Sequence, residues 1–301
     1  MKVLLTRRIP SSVLARLQAA CDVEMYDGPA GMPPGELRTR LAGKEALISV
    51  LTDRVDATLL DAAPALRVVA NIAVGYENID LDAARARGVI VTNTPDVLTE
   101  AVAELTWALI LAAARRVAEG DRLIRRHGWK GWALDFMLGS ELRGKQLGII
   151  GAGRIGRAVA AKAPAFGMSA VLGQRKTIDQ LLVTSDVISV HVPGGGETRH
   201  LVDRRTFARM KRTAIFVNTS RGSVVDEEAL VWALKERLIA GAALDVFEHE
   251  PEVREELMTM ENVVLTPHLG SATRETRTAM IELAVRNVLA VAAGDPPLTP
   301  V

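Results

Sequence analysis

Three glycines near the middle of the chain have the spacing of a nucleotide-binding turn. They stand in Gly151-Ala-Gly153-Arg-Ile-Gly156, between an apolar run at residues 146–150 and a stretch with apolar residues at helical spacing. Gly151 would allow a tight turn, Gly153 would let the backbone approach a pyrophosphate, and Gly156 would let the helix pack on the strand. Glycine spacing alone is a weak signal. A strand before it and a helix after it, with unpaired N–H groups facing the phosphates, predict a dinucleotide site.

Polar residues also follow several other apolar runs. They stand in His191-Val192-Pro193, in Asn218-Thr219-Ser220-Arg221, in residues 245–251 and in residues 266–270. In a doubly wound parallel sheet the ligand crevice lies at the carboxyl ends of the strands. We therefore expect these four segments to lie close to the glycine turn.

The segments need a sheet to bring them together, and the apolar runs supply one. In the first ninety residues strand and helix signals alternate, which predicts a parallel sheet with helices on its faces. The strand signals there are Val3 to Leu5, Ala46 to Val50, Val68 to Asn71 and Val89 to Thr92. A second series comprises Gln146 to Ile150, Ser169 to Leu172, Val187 to Val190, Ala214 to Asn218, Gly241 to Val246 and Val263 to Leu265. The predicted fold class is α/β, with two Rossmann-like, doubly wound parallel-sheet domains.

One long helical pattern, Leu98 to Glu119, separates the two series and is the candidate hinge helix. Pro95 marks the boundary before it, because proline breaks a strand and restricts the residue that precedes it. Within it, Leu98 to Ala114 is apolar over more of its circumference than one domain face needs. This predicts burial against a second copy of the chain, and hence a homodimer.

Length and composition limit the class of protein. The 301 residues are too many for one ordinary domain and suit two. A net charge of +1, from 37 Lys and Arg against 36 Asp and Glu, gives no electrostatic reason to expect nucleic acid. The single cysteine, Cys21, cannot form an internal disulfide, and no apolar run suits a signal peptide or a membrane span. We expect a cytoplasmic protein with no membrane partner and no metal.

The order of the motifs makes the chain resemble the D-isomer-specific 2-hydroxyacid dehydrogenase family over nearly its whole length. Residues 91–116 and the segment Gly128-Trp-Lys-Gly-Trp132 are most similar to its glyoxylate and hydroxypyruvate reductase branch. The other matching pieces are Ala73 to Asp80, the glycine turn, His191 to Pro193, Asn218 to Gly222, Leu244 to Pro251 and Thr266 to Gly270. The resemblance implies reversible hydride transfer between a nicotinamide cofactor and a small 2-oxo acid.

The resemblance also implies a division of labour between the domains. Residues 1–95 and 274–301 would form the substrate-binding domain, completed by a C-terminal helix at roughly Arg274 to Ala293. Residues 96–273 would form the dinucleotide-binding domain. In the reductase branch the long helix and the Trp segment form a dimer, and one Trp reaches the partner's substrate pocket. We assign that role to Trp132, against simple packing within its own chain.

Three residues carry the expected catalysis: Arg221, Glu250 and His268. Reduction of a 2-oxo acid requires a cation for the carboxylate and carbonyl, a proton donor for the new alkoxide, and a group that keeps the donor charged. Arginine stays protonated and its planar fork suits a carboxylate. Histidine titrates near neutral pH, and a nearby carboxylate favours its charged form. Each residue alone is better explained as a surface cation, a solvated loop acid or a turn histidine, but all three stand at strand ends and match the family.

The resemblance assigns the remaining site residues. The backbone N–H groups of Val74 and Gly75 are similar to the loop that holds the substrate carboxylate, although a plain strand-end turn explains the glycine equally well. Asp245 matches an acid near the nicotinamide carboxamide or else caps a turn, and Arg154 contacts the pyrophosphate or is only solvated. The expected cofactor-binding residues are Gly151, Gly153, Arg154, Ile155, Gly156, Arg175, Lys176, His191, Val192, Pro193, Thr219, Ser220, Asp245 and Gly270.

Cofactor choice is predicted from an absence in the sequence. An NAD-selective domain usually has an acidic residue at the end of its second strand, but residues 142–178 contain none. Gly173-Gln-Arg175-Lys176 stands at that strand end, and Arg175 can bind a 2'-phosphate with charge-assisted hydrogen bonds. We therefore expect NADP to be preferred and NAD to be possible, unless Arg175 and Lys176 are only a solvated pair.

Two departures from the family pattern bear on the site. Between Arg175 and Thr177 the family normally has a further helical turn and short strand. Either they are deleted here or the printed sequence lacks a mobile segment, which we favour. Gly194-Gly-Gly196 replaces bulkier residues and makes that loop more flexible. The alternatives in function are a D-lactate or 3-phosphoglycerate dehydrogenase, and a non-catalytic, cofactor-sensing scaffold of the same fold.

Overall fold

The computed structural model describes residues 1–173 and 177–301. Two compact units divide the chain, one formed by Met1–Leu98 with Ala272–Val301 and the other by Thr99–Ser271. The first junction lies three residues after the expected boundary and the second lies two residues before it. The substrate-binding and cofactor-binding roles of the two units stay predictions. Arg175 and Lys176 fall outside the described residues.

The first unit is built on a parallel sheet with strand order β2-β1-β3-β4-β5. Its strands are β1 (Lys2–Leu5), β2 (Asp22–Met25), β3 (Ala46–Val50), β4 (Val68–Ile72) and β5 (Ile90–Thr92). Its helices are α1 (Ser11–Gln18), α2 (Pro34–Leu41), α3 (Ala57–Asp61), α4 (Leu81–Ala86) and the C-terminal helix (Arg274–Ala293). The C-terminal helix contacts α1, β3 and β4, so it completes this unit, and its bounds agree with those that the family resemblance implied.

Burial explains which strands of this sheet the sequence revealed. All five residues of β4 and the first four of β3 are buried, as continuous apolar runs in central parallel strands should be. The sequence did not reveal β2, which lies at the edge of the sheet and, among the described strands, pairs with β1 alone. Its residues are half-buried or exposed, so it has no continuous apolar run.

The second unit has a six-stranded parallel sheet with strand order β11-β10-β9-β8-β6-β7, as the sequence predicted in number and direction. Its strands are β6 (Gln146–Ile150), β7 (Ser169–Gly173), β8 (Val187–Val190), β9 (Ile215–Asn218), β10 (Gly241–Leu244) and β11 (Val263–Leu265). Its helices are α5 (Thr99–Ala114), α6 (Val117–Arg125), α7 (Arg154–Lys162), α8 (Ile178–Thr184), α9 (Arg204–Phe207), α10 (Glu227–Lys235) and α11 (Glu255–Thr259). Short 3₁₀ turns occupy Ala163–Phe166 and Gly222–Val224.

The strand order places a ligand crevice at β6. The chain leaves β6 toward β7 on one side and reaches β8 on the other, so the carboxyl end of β6 is the topological switch point. In the part of the chain that the structure describes, no strand lies beyond β7. Residues 174–177 alone separate β7 from α8, and the described residues contain no further strand between them.

The long helix predicted from Leu98 to Glu119 was wrong as a single element. It is two helices, α5 and α6, separated at Arg116, whose φ of 55° is left-handed. The N–H of Ser140 donates to the carbonyl of Ala114 at 2.7 Å, and Arg116 forms an ion pair with Glu119. An alanine-rich stretch contains no local stop signal, so a hydrogen bond from a residue far along the chain ends the helix. Among the described helices none is both long enough and apolar enough to cross a membrane.

Candidate active site

The glycine turn of the second unit packs as the motif predicts. Gly151 follows β6 with a φ of 104°, and a Cβ there would lie 2.6 Å from the carbonyl of His191. A Cβ on Gly156 would overlap the carbonyl oxygen of Gly151 and press on Ile149. Both positions therefore require glycine, the first for its left-handed backbone and close contact, the second for the approach of α7 to β6.

Gly153 is different, since a Cβ there would meet no atom of the described residues within 4 Å. It is the N-cap residue of α7, and in the described chain no side chain caps that end of the helix. Open space thus lies in front of the helix N-terminus, where Arg154 and Ile155 begin the first turn. Anions favour such a position because of the helix dipole and the N–H groups. A pyrophosphate fits the space that glycine leaves open, and the residues present suit a dinucleotide.

His191 follows β8, and its main chain packs against Gly151 of the glycine turn. Its N–H donates to the carbonyl of Ile150 at 2.7 Å, and its Nε2 lies 2.8 Å from the hydroxyl of Ser189. Part of the residue is exposed, but its Nδ1 is buried and has no partner among the described residues. Burial lowers the pKa of His191 to about 3, so the ring is neutral at physiological pH. Val192 and Pro193 follow, with the Pro193 carbonyl accepting from Thr198 at 2.7 Å.

The turn after β9 is ordered by Asn218, a buried residue to which the sequence gave no role. Its Oδ1 accepts from both the N–H and the hydroxyl of Ser220, at 3.0 and 2.8 Å. Its Nδ2 donates to the carbonyl of Arg221 at 2.9 Å. The hydroxyl of Thr106 donates to the carbonyl of Val102. The Thr219 hydroxyl, 2.9 Å away, therefore donates to the Thr106 hydroxyl. The sequence feature that could have indicated this role is an asparagine at the end of an otherwise apolar strand.

Asp245, at the end of β10, holds the turn that carries His268. Its Oδ1 accepts from the N–H of Leu269 at 2.7 Å and from the hydroxyl of Thr266 at 2.6 Å, and its Oδ2 accepts from the N–H of Gly270 at 2.8 Å. The N–H of His268 donates to the Asp245 carbonyl at 2.9 Å. Burial raises the pKa of Asp245 despite these hydrogen bonds. The turn keeps His268 at a left-handed φ of 53°, which non-glycine residues adopt at a cost.

Arg221, Glu250 and His268 meet in this unit, at the carboxyl ends of β9, β10 and β11. The Nδ1 of His268 lies 2.8 Å from Oε2 of Glu250, and the N–H of Phe247 donates to Oε1 of Glu250 at 3.0 Å. Burial alone would raise the pKa of Glu250, but the hydrogen bond and charge of His268, the Phe247 N–H and the charge of Arg221 together lower it. The carboxylate is thus held in its charged form. Because Nδ1 faces Glu250, Nε2 is the ring nitrogen that can reach a substrate.

A second cluster supports the loop of Glu250, and the sequence did not point to it. Glu227, the first residue of α10, is buried, and its Oε1 accepts from the N–H of Glu248 at 2.7 Å. The Glu248 carboxylate lies 2.6 Å from Nε2 of His200 and 3.0 Å from Arg199. Burial raises the pKa of Glu227. These contacts fix the main chain two residues before Glu250.

Val74 and Gly75 lie in the first unit, in the half-buried loop after β4. The carbonyl of Val74 accepts from Nδ2 of Asn93 at 2.8 Å, and that of Gly75 accepts from Nδ2 of Asn71 at 3.0 Å. The N–H groups of both residues have no partner among the described residues. The loop can therefore offer N–H donors to a carboxylate.

Large apolar side chains are exposed in the second unit after α5 rather than on it. Trp132 is 77% exposed and Leu134 is 84% exposed. The others in this stretch are Val117, Ile124, Trp129, Phe136 and Leu138. Exposed apolar clusters of this kind mark interaction surfaces. In the described residues no group of three or more His, Cys, Asp or Glu side chains is placed to hold a metal.

Comparison with known proteins agrees with this geometry. Residues 107–270 match the family model described as "D-isomer specific 2-hydroxyacid dehydrogenase, NAD binding domain". The chain is 45% identical over 314 residues to the glyoxylate reductase of Thermococcus litoralis, with 98% of this chain and 95% of that protein covered. The alignment is longer than the 301 residues of this chain, so that relative has residues that this chain lacks.

Two solved structures are also similar. A protein from Thermus thermophilus is 46% identical, with a TM-score of 0.94 and 100% of each chain covered. An NADPH-dependent glyoxylate/hydroxypyruvate reductase from Sinorhizobium meliloti, in complex with NADP and malonate, is 35% identical, with a TM-score of 0.88 and 100% and 96% of the chains covered. The similarity extends over both units.

Proposed function

Because this chain belongs to the D-isomer-specific 2-hydroxyacid dehydrogenase family, we propose that it reduces glyoxylate or hydroxypyruvate to the corresponding 2-hydroxy acid. The observation that carries the proposal is the pair of His268 and Glu250, 2.8 Å apart, with the charge of Arg221 acting on the same carboxylate. A cation, a proton donor and a carboxylate that keeps the donor charged are the groups that reduction of a 2-oxo acid requires. The names of the relatives favour glyoxylate and hydroxypyruvate among such acids.

The protein's own residues bind and protonate the substrate in this proposal. A nicotinamide cofactor held at the glycine turn would supply the hydride that the carbonyl carbon needs. Arg221 binds the substrate carboxylate and polarises the carbonyl, since its guanidinium stays protonated. His268 passes the proton on Nε2 to the carbonyl oxygen as the C–O bond becomes single, and its ring is left neutral. Before the proton transfer, Glu250 stabilises the charged ring of His268 through its contact with Nδ1.

The cofactor contacts fall on the segments around β6. The open space at Gly153 and the N–H groups of Arg154 and Ile155 suit the pyrophosphate. We assign His191, Val192, Pro193, Thr219 and Ser220 to the cofactor as well. We assign Gly270 and Asp245 to the nicotinamide end. The hydrogen bonds of Asp245 to its own chain leave it less free to bind the carboxamide, since both of its oxygens already accept N–H groups.

The finer part of the cofactor proposal is NADPH over NADH. It is supported by the lack of an acidic residue between residues 142 and 178 and by the cations Arg175 and Lys176 after β7. The Sinorhizobium meliloti relative is NADPH-dependent by its description. An acid at that strand end would repel a 2'-phosphate, whereas an arginine binds one.

Assembly and location complete the proposal. We assign the exposed apolar stretch from Val117 to Leu138 to a homodimer interface, in which Trp132 reaches the substrate pocket of the partner. The single cysteine favours a reducing compartment, and we place the protein in the cytoplasm.

The test is turnover with a substrate panel. Glyoxylate, hydroxypyruvate, pyruvate and 3-phosphohydroxypyruvate are assayed with NADPH and with NADH. We expect the highest kcat/KM with glyoxylate or hydroxypyruvate. Higher efficiency with pyruvate or 3-phosphohydroxypyruvate would favour a D-lactate or 3-phosphoglycerate dehydrogenase. Cofactor that stays reduced with every acid would leave the scaffold as the function.

A further inference from the structure

Three successive N–H groups in the loop after β4 have no partner among the described residues: those of Val74, Gly75 and Tyr76. The carbonyl groups that precede them in the chain are all engaged. Such an arrangement leaves donors free while it fixes the direction in which each peptide group points. It suits an anion, and the resemblance to the family implies that the substrate carboxylate is held at the first two donors.

The direction of these donors follows from peptide geometry. The peptide groups in this loop are trans, and a trans peptide group points its N–H and its C=O in opposite directions. The Ala73 carbonyl accepts from the N–H of Thr94 at 2.8 Å, so the N–H of Val74 points away from Thr94. The Val74 carbonyl accepts from Nδ2 of Asn93 at 2.8 Å, so the N–H of Gly75 points away from Asn93.

Asn93 is itself held by the C-terminal segment. Its N–H donates to the carbonyl of Thr299 at 3.2 Å, and its carbonyl accepts from the Thr299 hydroxyl at 2.7 Å. The same hydroxyl accepts from Nδ2 of Asn287 at 2.9 Å. Hydrogen bonds of consistent direction thus run from Asn287 through Thr299 to Asn93 and the loop.

Asn287 anchors this relay in the core of the first unit. It lies on the C-terminal helix and is fully buried. Its Oδ1 accepts from the N–H groups of Leu298 and Thr299 at 2.8 and 3.0 Å, and its Nδ2 also donates to Leu283 at 3.0 Å. The whole donor and acceptor capacity of the amide is used, so Thr299 is fixed on both its main-chain and side-chain atoms.

We propose that Asn93 is a positioning residue that aims the Gly75 N–H at the substrate carboxylate, and that Thr299 and Asn287 hold Asn93 in place. This inference rests on the proposed function, because it needs a carboxylate at the loop. The carboxylate does not change charge during the reaction, so the N–H binds the ground state and the transition state alike. If the Gly75 N–H no longer points at the carboxylate, KM for the substrate rises and kcat stays unchanged.

The experiment uses the full chain with saturating cofactor and glyoxylate as the varied substrate. Thr299→Val removes the relaying hydroxyl and keeps the side-chain volume, whereas Thr299→Ser keeps the hydroxyl. Asn93→Ala removes the donor to Val74. The matched control is Thr92→Val, because the Thr92 hydroxyl is also buried but has no partner among the described residues.

We expect Asn93→Ala to raise KM for glyoxylate about tenfold or more, the scale of one hydrogen bond to a charged group. Thr299→Val should raise KM by a smaller factor, Thr299→Ser should restore it, and kcat and the KM for cofactor should stay unchanged. Equal KM values in Thr299→Val and Thr299→Ser would overturn the inference, as would a fall in kcat alone. If Asn93→Ala does not fold, the Thr299 pair decides. Wild-type protein without turnover would overturn the proposed function and this inference together.

Discussion

The main chain of Gly222 lies against the main chain of Phe247, and a Cβ at residue 222 would overlap the Phe247 carbonyl group. Gly222 follows Arg221, and the N–H of Phe247 donates to Glu250 at 3.0 Å. The contact therefore sets the spacing between the cation and the carboxylate of the candidate active site. Only glycine permits it, because the opposing atoms are backbone and cannot rotate away.

Gly222→Ala is expected to destabilise the second unit and to lower turnover. A backbone overlap of this kind costs on the order of 1–3 kcal/mol, which lowers Tm by several degrees in a domain of this size. Thermal unfolding and kcat/KM for glyoxylate measure the two effects. Gly196→Ala is the control, since a Cβ there meets no atom within 4 Å in the part of the chain that the structure describes. Equal Tm values for the two variants would contradict the argument.

His268→Ala is expected to lose roughly 10²-fold or more in kcat, the contribution of a positioned general acid. Glu250→Gln should lose activity as well, because the carboxylate that stabilises the charged ring is gone. The lowered pKa of Glu250 means that its charge persists below the ordinary glutamate value of 4.5. The stability that the charge contributes is present above that pH and is lost as pH falls through the lowered pKa. His249→Ala is the control, an exposed histidine in the same loop; retained kcat in His268→Ala would exclude the assigned role.

His191 is expected to make the protein acid-sensitive. Its pKa is about 3 in the folded protein and about 6.5 when exposed, so between these values the unfolded chain binds a proton that the folded chain does not. Stability must therefore fall as pH drops from about 6.5 toward about 3. His191→Gln should flatten that slope in chemical unfolding measured at several pH values. His127→Gln, at an exposed histidine, should keep the wild-type slope; identical slopes in all three proteins would refute the prediction.

NADPH is expected to be used with roughly 10- to 100-fold higher efficiency than NADH, the scale of a charge-assisted contact to the 2'-phosphate. Arg175→Asp should reverse or abolish the preference, because it replaces the cation with an acid. The measurement is the ratio of kcat/KM for the two cofactors in both proteins. A parent that favours NADH defeats the preference, and an unchanged ratio in Arg175→Asp defeats the role of that residue.

Trp132→Ala is expected to raise KM for glyoxylate, since the side chain is 77% exposed in the single chain and is assigned to the substrate pocket of the partner. Trp129→Ala is the comparison, because Trp129 is also exposed but donates its Nε1–H to Gly131 at 2.8 Å. KM values and the mass of the assembly in solution are measured for both variants. An unchanged KM together with an unchanged dimer in Trp132→Ala would show the assignment to be wrong.

Local sequence patterns predicted the elements whose cause is local. The glycine turn and the central strands were predicted because apolar periodicity and glycine spacing act within a few residues, whereas the C-terminal helix was implied by the family resemblance. Asp226 is the N-cap of α10, a residue type that favours this position, and its side chain accepts from the N–H of Ala229 at 3.0 Å. Resemblance to the family then selected Arg221, Glu250 and His268 from many possible polar residues.

Tertiary structure decided what depends on residues far apart in the chain. The hydrogen bond of Ser140 to Ala114 ends α5, and nothing in the alanine-rich sequence marks that position. Asn93 and Thr299 are separated by 206 residues, and Gly222 meets Phe247 across two different strand ends. A side chain's propensity and spacing determine its local conformation. Its hydrogen-bond partner is chosen only when the sheets bring distant strand ends together, because a buried polar group must then be satisfied by whatever atom the fold places beside it.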